Sequence, residues 1–215
     1  MKDLIRGKDK IGKTLQEMTL EELWQLFPIR LEPHKQCYST WYEQEARALK
    51  ELLGRENVVR MNHIGSTAVE GLTAKAIIDI LMEIATEVDE LWLRQQLQKN
   101  NWICMSEQVQ PQWRIVWNKG YTPEGFAQKV FHLHVRHLGD WDELYFRDYL
   151  IGHPEVCVEY AQLKEKLAIP YRNDRDGYTR EKTEFVRKYT MLAREEFGGR
   201  YIWHQGKQKE EPKNR

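Results

Sequence analysis

The chain has 215 residues, of which 41% are hydrophobic and 31% are charged, and its formal net charge is +0. This length fits one domain, or one domain with an added helical part. The neutral balance of charge does not favour nucleic acid as a partner. No apolar run approaches the ~20 residues that a membrane-spanning helix needs, so no membrane association is expected.

The cysteines and the N-terminus indicate the compartment. Cys37, Cys104 and Cys157 lie far apart and form no C-x-x-C pair. Neither a disulfide framework nor a thiolate zinc site is therefore indicated. The N-terminus has mixed charge and lacks the apolar core of a secretory signal. Together these features predict a cytoplasmic protein with free thiols.

The N-terminal part is predicted to be helical after a flexible arm over residues 1–17. The capping box Thr19-Leu20-Glu21-Glu22 opens a short helix that ends near Phe27. A longer helix is predicted over 34–53, because its apolar and aromatic residues recur on one helical face. Gly54 stands where a C-terminal helix cap belongs.

The middle of the chain is predicted to form a sheet. Residues 57–64 and 76–84 have the composition of strands. The second run is almost wholly apolar, which is typical of a central strand covered on both faces. The other predicted elements of this part are a helix over 86–100, strands over 102–105 and 113–117, a Pro/Gly loop over 119–128 and a strand over 129–135.

The C-terminal part is predicted to be helical. Its helices are expected over 140–151, 154–168 and 179–197, followed by a tail over 199–215. The order of elements predicts an α/β (α+β) fold, in which a mixed sheet is flanked by helices and carries a helical C-terminal subdomain. We expect one domain over 18–198, with the sheet part over 55–138 and the helical part over 140–198.

The first candidate site combines a turn with a carboxylate. Gly65 and Ser66 follow a predicted strand and open a short helix, where free backbone N–H groups and a hydroxyl suit a phosphate. Asp79 lies in the apolar run Ala-Ile-Ile-Asp-Ile-Leu-Met, where a carboxylate is costly to bury without a partner or a metal. The second strand can return Asp79 beside the turn, which predicts a phosphate and a divalent cation in one cleft. The alternatives are an ordinary tight turn and a structural Asp.

A second candidate is a pair of histidines. His132 and His134 are two apart on a predicted strand, so both rings point to one face, while Phe131, Leu133 and Val135 point to the core. Two imidazoles on one face can bind a metal, hold a phosphate when protonated, or transfer protons. The alternative is a pair of hydrogen-bonded structural histidines.

Several separated motifs, covering roughly residues 35 to 195, resemble the GrpB family. They are His63-Ile64-Gly65-Ser66-Thr67-Ala68-Val69, Gly71-Leu72-x-Ala74-Lys75, Ile77-Ile78-Asp79-Ile80, Phe131-His132-Leu133-His134-Val135, Phe146-Arg147-Asp148-Tyr149-Leu150, Tyr160-x-x-Leu163-Lys164-x-x-Leu167-Ala168 and Tyr178-Thr179-x-x-Lys182-x-x-Phe185-Val186.

The resemblance implies a protein of the DNA polymerase β-like nucleotidyltransferase superfamily. In that superfamily the turn holds the triphosphate of a nucleotide, and two acids one residue apart, with a third acid on a later strand, hold two metal ions. Here Asp79 is present but Leu81 replaces the second acid, and Glu83 is the next acid on the same face and a weaker candidate ligand. A single divalent cation, Mg²⁺ or Mn²⁺, or no metal at all, is therefore expected in place of a pair.

Basic and hydroxyl side chains are candidates for holding the phosphates. Thr67 lies in the turn, and His63 and Lys75 flank it. A basic and aromatic wall is also expected from the C-terminal part, although exposed helix charges are a common alternative. Its members would be Arg147, Lys164, Arg172, Arg175, Tyr178 and Lys182.

Three functions are compatible with these residues. The first is transfer of a nucleotidyl group from a nucleoside triphosphate to an unidentified acceptor, with Asp79, His132 and His134 in the catalytic site. The second is a binding module for a nucleotide or another phosphorylated small molecule, which Leu81 favours. The resemblance links this module to coenzyme A metabolism, because GrpB-like domains occur fused to dephospho-CoA kinases. The third is other chemistry at a zinc or manganese ion held by Asp79 and the two histidines.

Overall fold

The computed structural model of the protein describes residues 13–202. Most of the arm predicted over 1–17 and of the tail predicted over 199–215 lies outside the described residues. Within the described part, Leu15–Glu17 form a 3-10 turn. At the other end, Arg200 and Tyr201 both donate to the carboxylate of Asp148, so the first residues of the predicted tail pack on the helical part.

Two helices precede the sheet. Helix α1 spans Leu20–Leu26, and helix α2 spans Cys37–Leu53. The capping box is confirmed, since the Thr19 hydroxyl accepts from Glu22 N at 3.2 Å and the Glu22 carboxylate accepts from Thr19 N at 2.8 Å. Gly54 follows α2 with a φ of +82°, as expected for a glycine that ends a helix.

Five strands form one mixed sheet, as the sequence predicted. Their order is β1-β2-β5-β4-β3, and every neighbouring pair is antiparallel except β2 and β5, which are parallel. The most apolar strand, β2, lies between β1 and β5 and is covered on both faces. The strand bounds are Val58–Ile64 for β1, Ile78–Ile84 for β2, Ile103–Gln108 for β3, Arg114–Thr122 for β4 and Gly125–His137 for β5.

The loop predicted over 119–128 is wrong, because this segment is a β-hairpin. Strand β4 continues to Thr122 and β5 begins at Gly125, so the turn is tight and the two pair directly. Gly120, with a φ of +91°, lies at a register shift between the strands. The glycine therefore accommodates a bulge without ending the strand, and the hairpin places Tyr121 beside the sheet.

Helices cover both faces of the sheet. One face packs on α2 and on α3, which spans Glu90–Lys99, and Phe131, Leu133 and Val135 point into this core as predicted. The other face carries α4, which spans Asp142–Gly152, α5, which spans Pro154–Ala168, and α6, which spans Arg175–Phe197. Among residues 13–202, no helix is long and apolar enough to cross a membrane.

Helix α6 begins four residues before the predicted start at 179. The Asp174 carboxylate accepts from Gly177 N at 2.7 Å and caps the helix. The sequence analysis placed the start at Thr179, which is itself a residue type that caps helices. The earlier start brings Arg175 and Tyr178 into the first turn, where they face the sheet.

Glu83 is a structural residue, which corrects its expected role as a weaker metal ligand. Its side chain is 0% exposed, and Arg60 binds both carboxylate oxygens. Gly139 N also donates to it at 3.0 Å. Glu83 is four positions after Asp79 on the strand, which places the two residues about 13 Å apart. This distance is too long for both to bind one metal ion.

Replacing Arg60 by Met should leave the buried Glu83 carboxylate without its cation. We expect this variant to lose about 3–5 kcal/mol of unfolding free energy in urea denaturation. Adding Glu83→Leu should restore a large part of the loss. The control is Arg94→Met, which breaks a more exposed pair with Glu107 and should cost at most about 1 kcal/mol. Equal losses for Arg60→Met and Arg94→Met would contradict the structural role.

Candidate functional site

The turn after β1 meets the start of β2. Ile64 pairs with Asp79 across the two strands, so the carboxylate lies directly beside Gly65. Gly65 has a φ of +70°, and a Cβ on it would collide with Asp79 Oδ2. Only a glycine lets the two segments come this close. Ser66–Ala68 then form a 3-10 turn whose Ser66 hydroxyl faces the cleft.

Two imidazoles hold the Asp79 carboxylate. Its Oδ1 lies 3.2 Å from His132 Nδ1 and 3.7 Å from His134 Nε2. Burial alone would raise the pKa of Asp79, but the close contacts with the two imidazoles outweigh burial and hold that pKa well below its usual range. Asp79 is therefore charged at neutral pH and is a poor proton acceptor.

A chain of hydrogen bonds continues from His132. Burial lowers the pKa of His132 despite the nearby carboxylate, so the ring is neutral at pH 7. Its Nδ1–H then donates to Asp79, and its Nε2 accepts from the Tyr121 hydroxyl at 2.7 Å. Arg175 in turn donates to the Tyr121 oxygen at 3.0 Å. This chain orients the His132 ring and thereby the carboxylate.

Three lysines surround a cavity of about 200 Å³ above the turn. Lys164 is 2% exposed and donates to the Ser66 hydroxyl at 3.1 Å. The ammonium groups of Lys182 and Lys75 lie 4.3 Å and 5.8 Å from the centre of the Tyr178 ring. Between residues 13 and 202, no carboxylate oxygen lies within 4.0 Å of any of the three ammonium groups. We call this the lysine pocket.

The lysine pocket is electrostatically strained. Burial, together with the charge of the neighbouring cations, lowers the pKa of Lys75 and that of Lys164 to about 7. Burial also lowers the pKa of Lys182 to about 8, against the attraction of Asp79. An anion in the cavity would supply the missing negative charge and favour the protonated amines. The pocket is thus suited to an anion with several oxygens, such as a chain of phosphates.

The lysine pocket opens into a larger groove. This groove has a volume of about 620 Å³ and shares Gly65, Ser66, Asp79, Tyr160 and Lys182 with the pocket. It runs over α4 and α6, where most of its accessible surface is apolar, and the charged residues Asp142, Glu143, Arg187 and Arg194 also line it. A ligand can therefore place its charged part among the lysines and an uncharged part in the groove. Further residues of the groove are His134, Phe146, Thr183, Val186 and Met191.

Most of the residues predicted for the site lie together. Those that line the lysine pocket are Gly65, Ser66, Thr67, Lys75, Asp79, His132 and Lys182, and His134 lines the groove.

His63, like Glu83, is an exception. It stacks on Tyr42, and burial lowers the pKa of His63 to about 4, so it carries no charge at pH 7. Its Nε2 lies 3.0 Å from the Thr67 hydroxyl, which itself donates to Ile77 O at 3.1 Å. The expectation that His63 neutralises phosphate is wrong, and His63 instead holds the turn in place.

The basic wall expected from the C-terminal part forms only in part. Lys164, Tyr178 and Lys182 line the pocket. Arg147 instead pairs with Asp148 at 2.7 Å and donates to His63 O at 3.0 Å. Sequence reasoning missed Tyr121, because it lies in the hairpin that was predicted as a loop. The aromatic residues that pair between β4 and β5 would have been the sequence signal for this hairpin.

The number of carboxylates in the lysine pocket limits how a cation can bind. Asp79 is the carboxylate in its lining, and Leu81, where a second acid would stand, is 0% exposed in the core. Across residues 13–202 no group of three or more His, Cys, Asp and Glu side chains is arranged for a metal ion. A cation beside Asp79 would therefore take its other ligands from phosphate oxygens and water, as Mg²⁺ does.

The fold and the site define a class of protein, an α+β domain with a cationic cleft on one face of a mixed sheet. The GrpB protein family model matches residues 28–191 of the chain. The chain therefore belongs to the GrpB family.

Relatives and a solved structure agree with this assignment. The glutamate-rich protein GrpB of Alkalihalophilus pseudofirmus is 36% identical over 71% of this chain and 88% of its own length. A UPF0157 protein of Pseudomonas aeruginosa is 36% identical over 74% of this chain and 64% of its own length. The crystal structure of the conserved protein GrpB from Enterococcus faecalis has a TM-score of 0.69 and 27% identity, covering 78% of this chain and 99% of that chain.

Anion binding in the lysine pocket should weaken as the pH rises. The pKa values of Lys75 and Lys164, about 7, mean that both amines lose their charge between neutral and alkaline pH. We expect tripolyphosphate to bind more tightly at about pH 7 than at about pH 9 in titration calorimetry. The double variant Lys75→Met/Lys164→Met should abolish binding, whereas Lys99→Met on α3 should keep both affinity and pH profile. Tighter binding at the higher pH would contradict the assignment.

Gly65→Ala should lower stability by more than the cost of its backbone conformation, and it should also weaken ligand binding at the site. Gly71 is a matched control, since its φ of +76° is similar to the +70° of Gly65 but a Cβ on it meets no atom within 4 Å. Either alanine should cost about 1–3 kcal/mol of stability for the positive φ. Gly65→Ala should cost more, because the new Cβ displaces Asp79, and should also weaken tripolyphosphate binding. Identical stability and affinity for the two variants would show that the approach of Asp79 is unimportant.

Proposed function

We propose that this protein binds a nucleoside triphosphate, with its phosphate chain in the lysine pocket and its nucleoside in the adjoining groove. The observation that carries the proposal is the set of three buried or half-buried lysines without a carboxylate partner in the described part of the chain. Burying one unpaired ammonium group is costly, and burying three together is more costly still. A bound polyphosphate would offset that cost.

The shape of the cleft supports a ligand with two unlike parts. The lysine pocket, at about 200 Å³, is small and polar, whereas the groove of about 620 Å³ has the size and apolar character of a small-molecule site. Lys182 and Asp79 line both compartments, so they would lie near the junction between the phosphates and the rest of the ligand.

We further propose nucleotidyl transfer to an acceptor as the reaction. The nucleophile of the acceptor would attack the α-phosphorus and release its proton to solvent, and the bond from the α-phosphorus to the oxygen that bridges to the β-phosphate would break. The lysines would stabilise the charge of the departing pyrophosphate. Asp79, with its low pKa, suits a cation better than a proton. A divalent cation bound there would neutralise phosphate charge during the transfer. Mg²⁺ or Mn²⁺ remains a prediction from the sequence, and Zn²⁺ a weaker one.

A second candidate is binding without transfer. The observation that favours it is Leu81, whose apolar side chain is fully buried where a two-metal site needs an acid. In this case the protein would be a binding module for a nucleotide or another phosphorylated metabolite. The two candidates differ in whether binding depends on a divalent cation and on Asp79.

Thermal denaturation in the presence of ligands tests the proposal. Each of the four nucleoside triphosphates, tripolyphosphate, and phosphorylated precursors of coenzyme A would be added with and without Mg²⁺, Mn²⁺ or Zn²⁺. A ligand at a hundred times its Kd adds about 2.7 kcal/mol, which should raise the Tm by about 5–10 °C for a chain of this size.

Two variants and one control distinguish between the two candidate functions. Lys75→Met should remove the shift with every phosphate ligand, and Lys99→Met should leave it unchanged. A shift that needs a divalent cation and disappears in Asp79→Asn supports transfer and justifies a search for the acceptor. A shift that needs no cation and survives in Asp79→Asn supports the binding module. If no phosphate ligand raises the Tm, the proposal is wrong.

A further inference from the structure

A second cavity lies beneath helix α1, away from the lysine pocket. It has a volume of about 340 Å³, within the range of small-molecule sites. Helix α1 lays Leu20, Leu23 and Trp24 over it, and Ile103 and Met105 of β3 form part of its floor. No residue of α1 is fully buried. The apolar side of this helix therefore covers a cavity in place of a packed core.

The cavity lies on the same face of the sheet as Asp79. In the strand register Asp79 pairs with His132, and His132 pairs with Asn118, which lines the cavity. Residues paired in register point to the same face. The Tyr121 ring stands between the cavity and His132, and its hydroxyl bonds to His132. The cavity is thus the next compartment along the face that carries the phosphate site.

One cation of the cavity lining has no acidic partner. The Arg175 guanidinium lies 5.5 Å from the centre of the Tyr121 ring and donates to the Tyr121 oxygen. Among residues 13–202 no carboxylate oxygen comes within 4.0 Å of it, and this includes Asp176, the other charged residue of the lining. Asp176 is exposed, whereas Arg175 is partly buried. The inner polar end of the cavity is therefore cationic.

We propose that this cavity binds a small amphipathic carboxylate. Its apolar chain would lie against Leu23, Trp24 and Met105, and its carboxylate would pair with Arg175. A guanidinium is well suited to this role, because its planar donors match the two oxygens of a carboxylate. The head group would then lie beside Tyr121, next to the site of the proposed nucleotide. The proposal does not depend on that function, since it concerns a different cavity and a different ligand.

Titration calorimetry with three eight-carbon probes tests the proposal. The probes share one chain and differ in the head group: octanoate, octanol and octylamine. We expect octanoate to bind most tightly and octylamine least. Arg175→Met should weaken octanoate about tenfold or more, the usual effect of losing a charged hydrogen bond, and leave octanol unchanged. Arg180→Met, on an exposed position of α6, should change neither.

Further variants separate this site from the lysine pocket. Leu23→Trp should fill the cavity and weaken octanoate and octanol alike, whereas Lys75→Met should leave octanoate binding intact. Because α1 buries no residue fully, Leu23→Trp should keep the Tm of the unmodified chain. Octanol binding as tightly as octanoate would overturn the assigned head group, and so would octylamine binding best. Absence of binding by all three probes, or octanoate binding that Lys75→Met removes, would overturn the site.

Discussion

The interior strand β2 has to hold two carboxylates within an otherwise apolar sequence, and the rest of the structure depends on how it does so. Glu83 is neutralised by Arg60 and also accepts from Gly139 N, so this pair connects the sheet to the segment that enters the helical part. Asp79 has imidazoles as partners and keeps one side toward the cleft. The Glu83 carboxylate therefore stabilises the fold, whereas the Asp79 carboxylate remains available to a ligand.

The lysines also fall into two groups, those with a carboxylate partner and those without one. Lys119 and Lys35 each have a carboxylate within 2.8 Å, as expected of lysines that have a structural or a solvated role. The three amines of the lysine pocket have none within the described residues, and burial lowers the pKa of each of them. Folding therefore concentrates positive charge where burial makes it costly. This arrangement is the basis of the proposal that the lysine pocket binds an anion.

Membership of the GrpB family does not by itself assign a reaction. The positions at which the chain departs from the two-acid pattern of nucleotidyltransferases are physically informative. Leu81 is packed against Ile64 and Leu144 at the junction of the sheet and the helical part, so an acid there would be buried in an apolar contact. The same packing that joins the two parts excludes a second metal ligand. This leaves Asp79 with two histidines, and under the proposed function the surrounding lysines would supply most of the charge that phosphates need.

The sequence by itself determined the mixed sheet with helices on both faces, the interior position of β2, and the turn at Gly65, because these depend on local composition and on the periodicity of apolar residues. It also indicated Asp79, His132, His134 and Lys75. Only the tertiary structure decided which of the candidate residues meet. It joined Lys164 to Ser66, took Glu83 into an ion pair, made His63 neutral, and brought Tyr121 to His132 through a hairpin. Charge partners and burial depend on contacts between residues far apart in the chain, and no local pattern contains that information.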